Sequence, residues 1–578
     1  MPGWLFSSLR GYQKSWLRGD VVAGLTVWAV LIPEALAYAS IAGVSPVVGL
    51  YAAPGALILY AAFGSSRHLV TGPMSATAAL SAATVGAYAT AGSTSFVAMT
   101  AALAITTGVI AVLAGLLRLG FLASFISEPV LKGFIIGLAL TIIVGQLPAI
   151  FGVEKGSGDF FQKLWDLITK LGDTHVLTLV VGLGSIALLL VLRRVAPAVP
   201  GSLAVVLLSI LAVAVFNLDD HGLDIVGHIA RGLPSLGIPD VRFQGFLEMA
   251  GGAAGLMLVG FAEGLGAAKT YAAEHHYDID VNRELLGLGT ANLAAGLSSG
   301  MVVNGSLSKT AVNGSAGANS QVSGLVVAAM TILTLLLLTG LFEKLPEATL
   351  AAVVIVAVME LVDVGALVRL YRVYSGRLGS VYQVGARPDF YAAIAALLGV
   401  TVFDTLPGLF IGIAVSLLLL LYRTSRPRVA ELVRSPGADH YADIERIAGG
   451  GDRIPGVVIL RVEAGLYFAN ADWVRNQVRA AAQRPGVTAV ILDAENIAFM
   501  DITAVEMLDQ LADTLEEEGV ALRVARDIGD VRDVLRRAGS HLDLDHVYPS
   551  VRAAVAASRP GPGTSRDTAE TVVSRPDR

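Results

Sequence analysis

The chain has 578 residues, 54% hydrophobic and only 15% charged, with 63 Gly and no Cys, and its mean hydropathy is +0.67; this is the composition of a membrane protein, not of a soluble globular one. Without Cys there are no disulfides, no thiolate catalysis and no Cys-ligated zinc or iron–sulfur cluster. A net charge of −6 offers no basic stripe to displace counterions from phosphates, so nucleic acid is excluded as a partner class.

Charge density divides the chain, at about 11% over residues 1–430 and about 28% over 431–578. The first part holds about fourteen apolar runs, near 20–42, 46–63, 72–90, 97–117, 122–149, 175–193, 200–216, 248–270, 284–300, 304–317, 320–341, 346–370, 388–403 and 405–423. Most are long enough to cross about 30 Å of hydrocarbon as a helix, although the tenth is too short and polar for an ordinary span. Arg10, Lys14 and Arg18 precede an apolar run with Ala-x-Ala sites, as in a signal peptide, but Pro33 and Glu34 interrupt that run and many spans follow. Residues 1–19 are therefore read as a cytoplasmic segment, 20–425 as a membrane domain and 426–454 as a linker.

Lys and Arg in short loops set the orientation. With the N-terminus in the cytoplasm, the inside loops hold Arg67, Arg118, Arg193, Arg194, Lys269, Arg283, Arg369, Arg372, Arg377 and Arg387. The outside loops hold Asp219, Asp220, Asp224 and Asp240, or the mixed set Glu154, Lys155, Asp159 and Lys163. An even number of spans returns the C-terminal part to the cytoplasm.

Two polar stretches interrupt the apolar pattern with the same signature, TGPMSATA at 71–78 and NGSLSKTA at 304–311, both Gly-x-x-Ser-x-Thr-Ala. At the same offset, about 230 residues, AGLTVWAVLIPEALAYA at 23–39 echoes AGLMLVGFAEGLGAAKT at 254–270 and makes Glu34 and Glu263 counterparts. A duplicated unit of seven spans must insert its second copy inverted, which is a transporter architecture. Small polar residues in mid-membrane fit broken helices, whose N-terminal N–H groups bind anions. The donors are then the first-turn amides with Ser75, Ala76 and Thr77 in one copy and Ser306, Leu307, Ser308 and Thr310 in the other, with Lys309 adding a charge.

A carboxylate deep in an apolar span must be protonated or paired. Glu263 is read as a proton-coupling group and Glu34 as part of the site, the alternative being a fixed ion pair of Lys309 with either glutamate. Asn304 and Asn313 flank the second stretch and either cap it or line the cavity. Lys132 is read as reaching the membrane interface. His275 and His276, beside Glu274 and Asp278, are read as a solvated loop face and not as a metal site.

At IPEALAYASIAGVSPVVGLYAA (32–53), GPMSATAAL (72–80) and NGSLSKTAVNGSAGANSQVSG (304–324) the chain resembles the SulP anion transporters, the solute carrier 26 group. The resemblance covers nearly the whole chain. It implies fourteen membrane segments in two inverted seven-segment repeats, forming a core and a gate domain, followed by a cytoplasmic STAS domain. It also implies sulfate, bicarbonate, chloride, oxalate or dicarboxylates as substrates, often with homodimers. The family's site lies between the third and tenth segments, flanked by the first and eighth, which implies Ser75, Ala76, Ser306, Leu307, Ser308, Glu34 and Glu263 here. Two departures bear on it. Many members have Gln where this chain has Glu34 and Arg where it has Lys309. A sodium-coupled bicarbonate branch has Asp at the position resembling Glu263 and Thr four residues later, where this chain has Ala267. Loss of that oxygen ligand favours protons over sodium.

From about 455 strand and helix patterns alternate, as in a small α/β domain. VVILRVEAGLYFAN with AVILDAENIAFMDITAVEML resembles a STAS domain, read as 455–558. The Asp501-Ile502-Thr503 stretch matches the position phosphorylated in bacterial anti-sigma factor antagonists, which makes Thr503 a candidate regulatory hydroxyl; the alternative is a helix cap formed by Asp501 and Thr503. Residues 559–578 have the composition of a disordered tail. There is no Walker, GxSxG or HExxH motif and no sign of a cofactor, so the chain is not read as an enzyme. The reading is a multi-pass secondary-active anion transporter of the cytoplasmic membrane, in contact with lipid, with both termini inside, and best described as taking up sulfate with protons. Bicarbonate, a dicarboxylate such as fumarate, an anion channel and a sensor or scaffold are the alternatives.

Overall fold

The computed structural model describes residues 5–558 except 122–126, 157, 197–198, 230, 360–361, 364, 366–367, 370, 373–385, 404, 436–439, 448–450 and 543–546. The proposed tail and Arg377 lie outside the described residues. Two compact units divide the chain, Met1–Leu417 and Leu418–Arg578.

The first unit is helical: α1 (Leu17–Ile41), α2 (Pro46–Phe63), α3 (Ser75–Gly86), α4 (Thr94–Leu116), α5 (Glu128–Phe151), α6 (Phe160–Lys170), α7 (Val176–Val195), α8 (Gly201–Phe216), α9 (Phe243–Glu248), α10 (Ala250–Glu274) and α11 (Val281–Leu297). It continues with α12 (Leu307–Ser315), α13 (Val322–Leu333), α14 (Glu347–Met359), α15 (Ala386–Phe403) and α16 (Thr405–Ser425), the last of which runs on past Leu417. Helix is present in each of the fourteen ranges marked by hydropathy. Among the described residues eight helices are long and apolar enough to cross a membrane, and Gly201–Phe216, Glu347–Met359 and Asp389–Phe403 are shorter apolar helices. The mixed-charge loop around 154–163 contains α6, started by a capping box between Asp159 and Gln162. Lys132 pairs with Glu128 at 2.6 Å in the first turn of α5.

The helices pack in two groups. In one, α11 lies against α2 and α4, α1 against α2 and α13, and α10 against α4; in the other, α5, α7, α14 and α15 pack together. The first group is tight because its crossing points lack side chains. A Cβ on Gly108 of α4 would stand 2.7 Å from the Leu293 nitrogen, and one on Gly289 of α11 would stand 2.7 Å from the Val112 nitrogen. In a membrane such small-residue contacts carry helix association by van der Waals packing.

Two short strands interrupt the helices, β1 (Val70–Gly72) before α3 and β2 (Asn304–Ser306) before α12. They pair antiparallel with Val70 opposite Ser306, Thr71 opposite Gly305 and Gly72 opposite Asn304. Helix α11 holds the approach to both. Glu284, fully buried, accepts hydrogen bonds from Tyr60 Oη (2.6 Å), the Ser65 amide and hydroxyl (2.8 and 2.6 Å) and the Ser66 amide (2.9 Å). Asn292, two turns on, donates to the Val303 carbonyl (2.9 Å) and accepts from the Val303 amide (3.0 Å). Irregular backbone inside a membrane protein needs such partners.

The second unit has a six-stranded sheet in the order β4-β3-β5-β6-β7-β8, with β3 (Val429–Arg434), β4 (Tyr441–Asp443), β5 (Val457–Val462), β6 (Ala489–Asp493), β7 (Ala521–Ala525) and β8 (Val547–Tyr548). Strands β5 to β8 are parallel, while β3 is antiparallel to both neighbours. Val458, Leu460, Val490 and Leu492 face one side with α17 (Ala471–Ala482), α18 (Ile502–Glu517) and α19 (Gly529–Ala538). Val457, Ile459, Ala489 and Ile491 face the other, with α20 (Val551–Ser558). A parallel strand covered on both faces reads as continuous apolar sequence, as β6 does. The stretch 426–454, expected to be a linker, supplies β3 and β4 to this sheet.

Candidate functional site

The β1–β2 ladder sets the start of α3 beside the start of α12. Helices α1 and α10 each pack against both. Ser75, Ala76 and Thr77 form the buried first turn of α3, which has no side-chain cap. The Thr77 hydroxyl turns back to the Met74 carbonyl (3.2 Å), leaving the first-turn amides and Ser75 as the donors there. In the other copy Ser306 caps α12 by accepting from the Lys309 amide (3.2 Å), and its hydroxyl lies 3.2 Å from that of Ser308. The side chains of Leu307 and Ser308 are exposed. Thr310 accepts from the Val70 amide (3.1 Å) and so ties α12 back to β1.

Lys309 is 1% exposed, and its ammonium donates to Glu34 Oε2 at 2.8 Å and to the Pro73 carbonyl at 3.3 Å, 5.3 Å from the centre of the Tyr38 ring. The ion pair is therefore Lys309 with Glu34, and the lysine brings a matched charge to the site, not the free one expected from the sequence. Glu263, half-buried on α10, accepts from Asn304 Nδ2 at 3.4 Å, and no cation pairs with it among the described residues. Gly260 and Gly264 make room for Asn304: a Cβ on either would lie 3.1–3.2 Å from its side chain.

Asn304 and Asn313 do not cap α12. Asn304 serves Glu263, and Asn313 donates to the His68 carbonyl (2.9 Å). His275 and His276 are exposed, as read from the sequence, and the His275 ring also stacks on His68 with ring centres 4.2 Å apart. No cluster of metal-ligating side chains is found among the described residues.

Residues 17–378 match the sulfate permease family, and residues 452–554 match the STAS domain. The chain belongs to the sulfate permease family. Probable sulfate transporters from two strains of Mycobacterium tuberculosis are 38% identical to this chain over 555 residues, 95% of its length and 97% of theirs. High affinity sulfate transporter 1 of Stylosanthes hamata is 30% identical over 545 residues, 89% of this chain and 79% of its own. In fold, the chain is similar to the murine solute carrier 26 family member A9 anion transporter in the inward-facing state (TM-score 0.85, 24% identity, 96% of this chain and 94% of that one). It is also similar to the transmembrane domain of the cyanobacterial bicarbonate transporter BicA (TM-score 0.60, 23% identity, 69% of this chain and 98% of that one). As a member of this family the protein is a multi-pass secondary-active transporter of small inorganic anions and not an enzyme.

In the STAS domain, Asp501 caps α18 by accepting from the Ala504 amide, and its other oxygen accepts from the Phe468 amide, both at 2.9 Å. Thr503 is exposed on the first turn and takes no part in the cap. The sequence reading missed Tyr38, the Pro73 carbonyl, Glu284 and Asn292. The signal for the last two was available, since both are polar residues inside an otherwise apolar span.

Proposed function

We propose that the protein takes up sulfate with protons, the anion lying between the first turns of α3 and α12 and Glu263 carrying the proton. The observation that carries this reading is the division of the carboxylates. Glu34 is engaged by Lys309 at 2.8 Å, whereas Glu263 has only the neutral Asn304 beside it. With no cation to neutralise Glu263, a proton travelling with the anion supplies the counter-charge there. Inward movement of an anion against a negative-inside potential costs about 2.3 kcal/mol per charge per 100 mV, and each proton carried along offsets that amount.

The reading places fourteen segments in two inverted repeats, with both termini in the cytoplasm and two copies in the assembly. The antiparallel register of β1 on β2 supports the inversion. Site residues in this proposal are Ser75, Ala76, Thr77, Ser306, Leu307, Ser308, Lys309 and Glu34 for the anion, with Thr503 as a regulatory hydroxyl exposed on α18.

The test is labelled sulfate uptake into proteoliposomes with and without an inward proton gradient. Accumulation above equilibrium, driven by the gradient, is the expected result. Accumulation of bicarbonate or fumarate in place of sulfate would overturn the substrate, and flux that only equilibrates would point to a channel.

A further inference from the structure

A cavity of about 1210 Å³ opens between the two helix groups, away from the half-helix starts. One wall is the C-terminal part of α3, where Ala79, Ala82 and Gly86 continue the face that begins with Ser75. The opposite wall is α5, and Lys155, Gly156, Gly158, Asp159 and Lys163 rim the mouth. Two of the lining hydroxyls turn into their own helices, Ser40 to the Leu36 carbonyl and Thr141 to the Gly137 carbonyl. Gln146 on α5 does not. It lines the cavity, is only 8% exposed, and among the described residues its carboxamide has no hydrogen-bond partner. A buried amide is normally satisfied, so one left facing a cavity is aimed at what fills it.

The mouth adds charge. Lys155 is exposed and Lys163 half-buried, and both line the cavity. Neither has a carboxylate within ion-pair distance among the described residues. The neighbouring Lys170 is engaged with Glu154 at 3.9 Å. The one acidic lining residue in this segment, Asp159, spends an oxygen on the Gln162 amide as the cap of α6 (2.9 Å). Among the lining residues of this segment two ammonium groups stand against one carboxylate, above an amide donor.

We infer that this vestibule is a capture site for a small oxyanion, with the Gln146 carboxamide as its donor and Lys155 and Lys163 drawing the anion in. The inference rests on the transport reading and on the orientation that puts residues 152–159 outside. A neutral donor holds a hydrated anion without stripping it, so the anion passes on along the small-residue face of α3 toward Ser75. Two ammonium groups at a low-dielectric mouth raise the local anion concentration and lose that effect in salt.

The experiment is initial-rate uptake of labelled sulfate from the vestibule side of proteoliposomes, at low and high ionic strength, for the full chain. Lys155→Gln/Lys163→Gln is expected to raise KM at low ionic strength by roughly three- to tenfold, to leave kcat nearly unchanged and to abolish the salt dependence of KM. Gln146→Leu is expected to raise KM at both ionic strengths by about threefold or more, with Gln146→Asn recovering part of it. Transport by the parent protein with unchanged KM and salt dependence in these variants would overturn the vestibule site alone, as would a KM change confined to the opposite face. A parent protein that moves none of sulfate, bicarbonate or fumarate would overturn the transport reading and this inference with it.

Discussion

The ammonium of Lys309, one turn into α12, lies 2.8 Å from the carboxylate of Glu34 in the middle of α1, and the lysine side chain is 1% exposed. The two residues come from opposite copies of the repeat. Their bond makes the second half-helix a partner of the first flanking helix, and it neutralises the ammonium within the protein.

Removing one partner of a buried pair leaves the other charge uncompensated, a loss of about 3–5 kcal/mol. Lys309→Ala is therefore expected to lower thermal stability sharply and to stop transport, and the double variant with Glu34→Gln is expected to recover stability. A Lys309→Ala melting curve identical to that of the parent would refute the pair. Glu34→Gln alone frees the ammonium, so equilibrium binding of labelled sulfate should tighten.

Glu263→Gln removes the proposed proton carrier and keeps an acceptor for Asn304. The expected outcome is loss of gradient-driven accumulation with anion binding and exchange retained. Undiminished accumulation driven by pH in this variant would remove Glu263 from the coupling step.

His68, in the loop between α2 and β1, is 2% exposed. Its Nδ1 lies 3.1 Å from Tyr277 Oη and its Nε2 lies 3.0 Å from the Ala318 carbonyl. Burial, reinforced by His275, pushes its pKa down from 6.5 to about 4. The folded state thus keeps the ring neutral where the unfolded chain binds a proton. The stabilisation is complete above about pH 6.5 and is lost as pH falls toward 4, a change of up to about 3 kcal/mol. Thermal melts of the purified protein across this window should show the loss, and His68→Gln should flatten it.

Asn292 closes a two-bond clamp on Val303. Asn292→Leu leaves a buried amide and carbonyl unpaired, which costs about 2–4 kcal/mol. Hydrogen exchange at residues 303–306 should accelerate, and transport should fall although no anion-contacting group has been touched. Unchanged exchange there would show that other contacts hold β2.

The sequence made the repeat legible because two Gly-x-x-Ser-x-Thr-Ala stretches recur at a fixed offset, and the pairing of β1 with β2 brings those two stretches together. It did not reveal which glutamate Lys309 takes. By symmetry α1 and α10 flank the half-helices alike, so Glu34 and Glu263 look equivalent in one dimension. The difference arises in packing, where Asn304 occupies the space in front of Gly260 and Gly264 and meets Glu263. Strands β3 and β4 were missed for another reason. VAELVR is short and, antiparallel to both its neighbours, mixes buried with partly exposed positions and has none of the continuous apolar pattern that marks β6.

Where α4 crosses α11, Gly108 and Gly289 let the two backbones meet, with the Leu293 and Val112 side chains packed against the contact. Helix α11 also carries Glu284 and Asn292, the residues that grip the chain ahead of each strand. A single added methyl at this crossing would act as a wedge with a long lever arm, and its effect would reach both half-helices together. The chain ahead of β1 and the chain ahead of β2 therefore share one mechanical fulcrum, and a distortion entering there reaches both strands together.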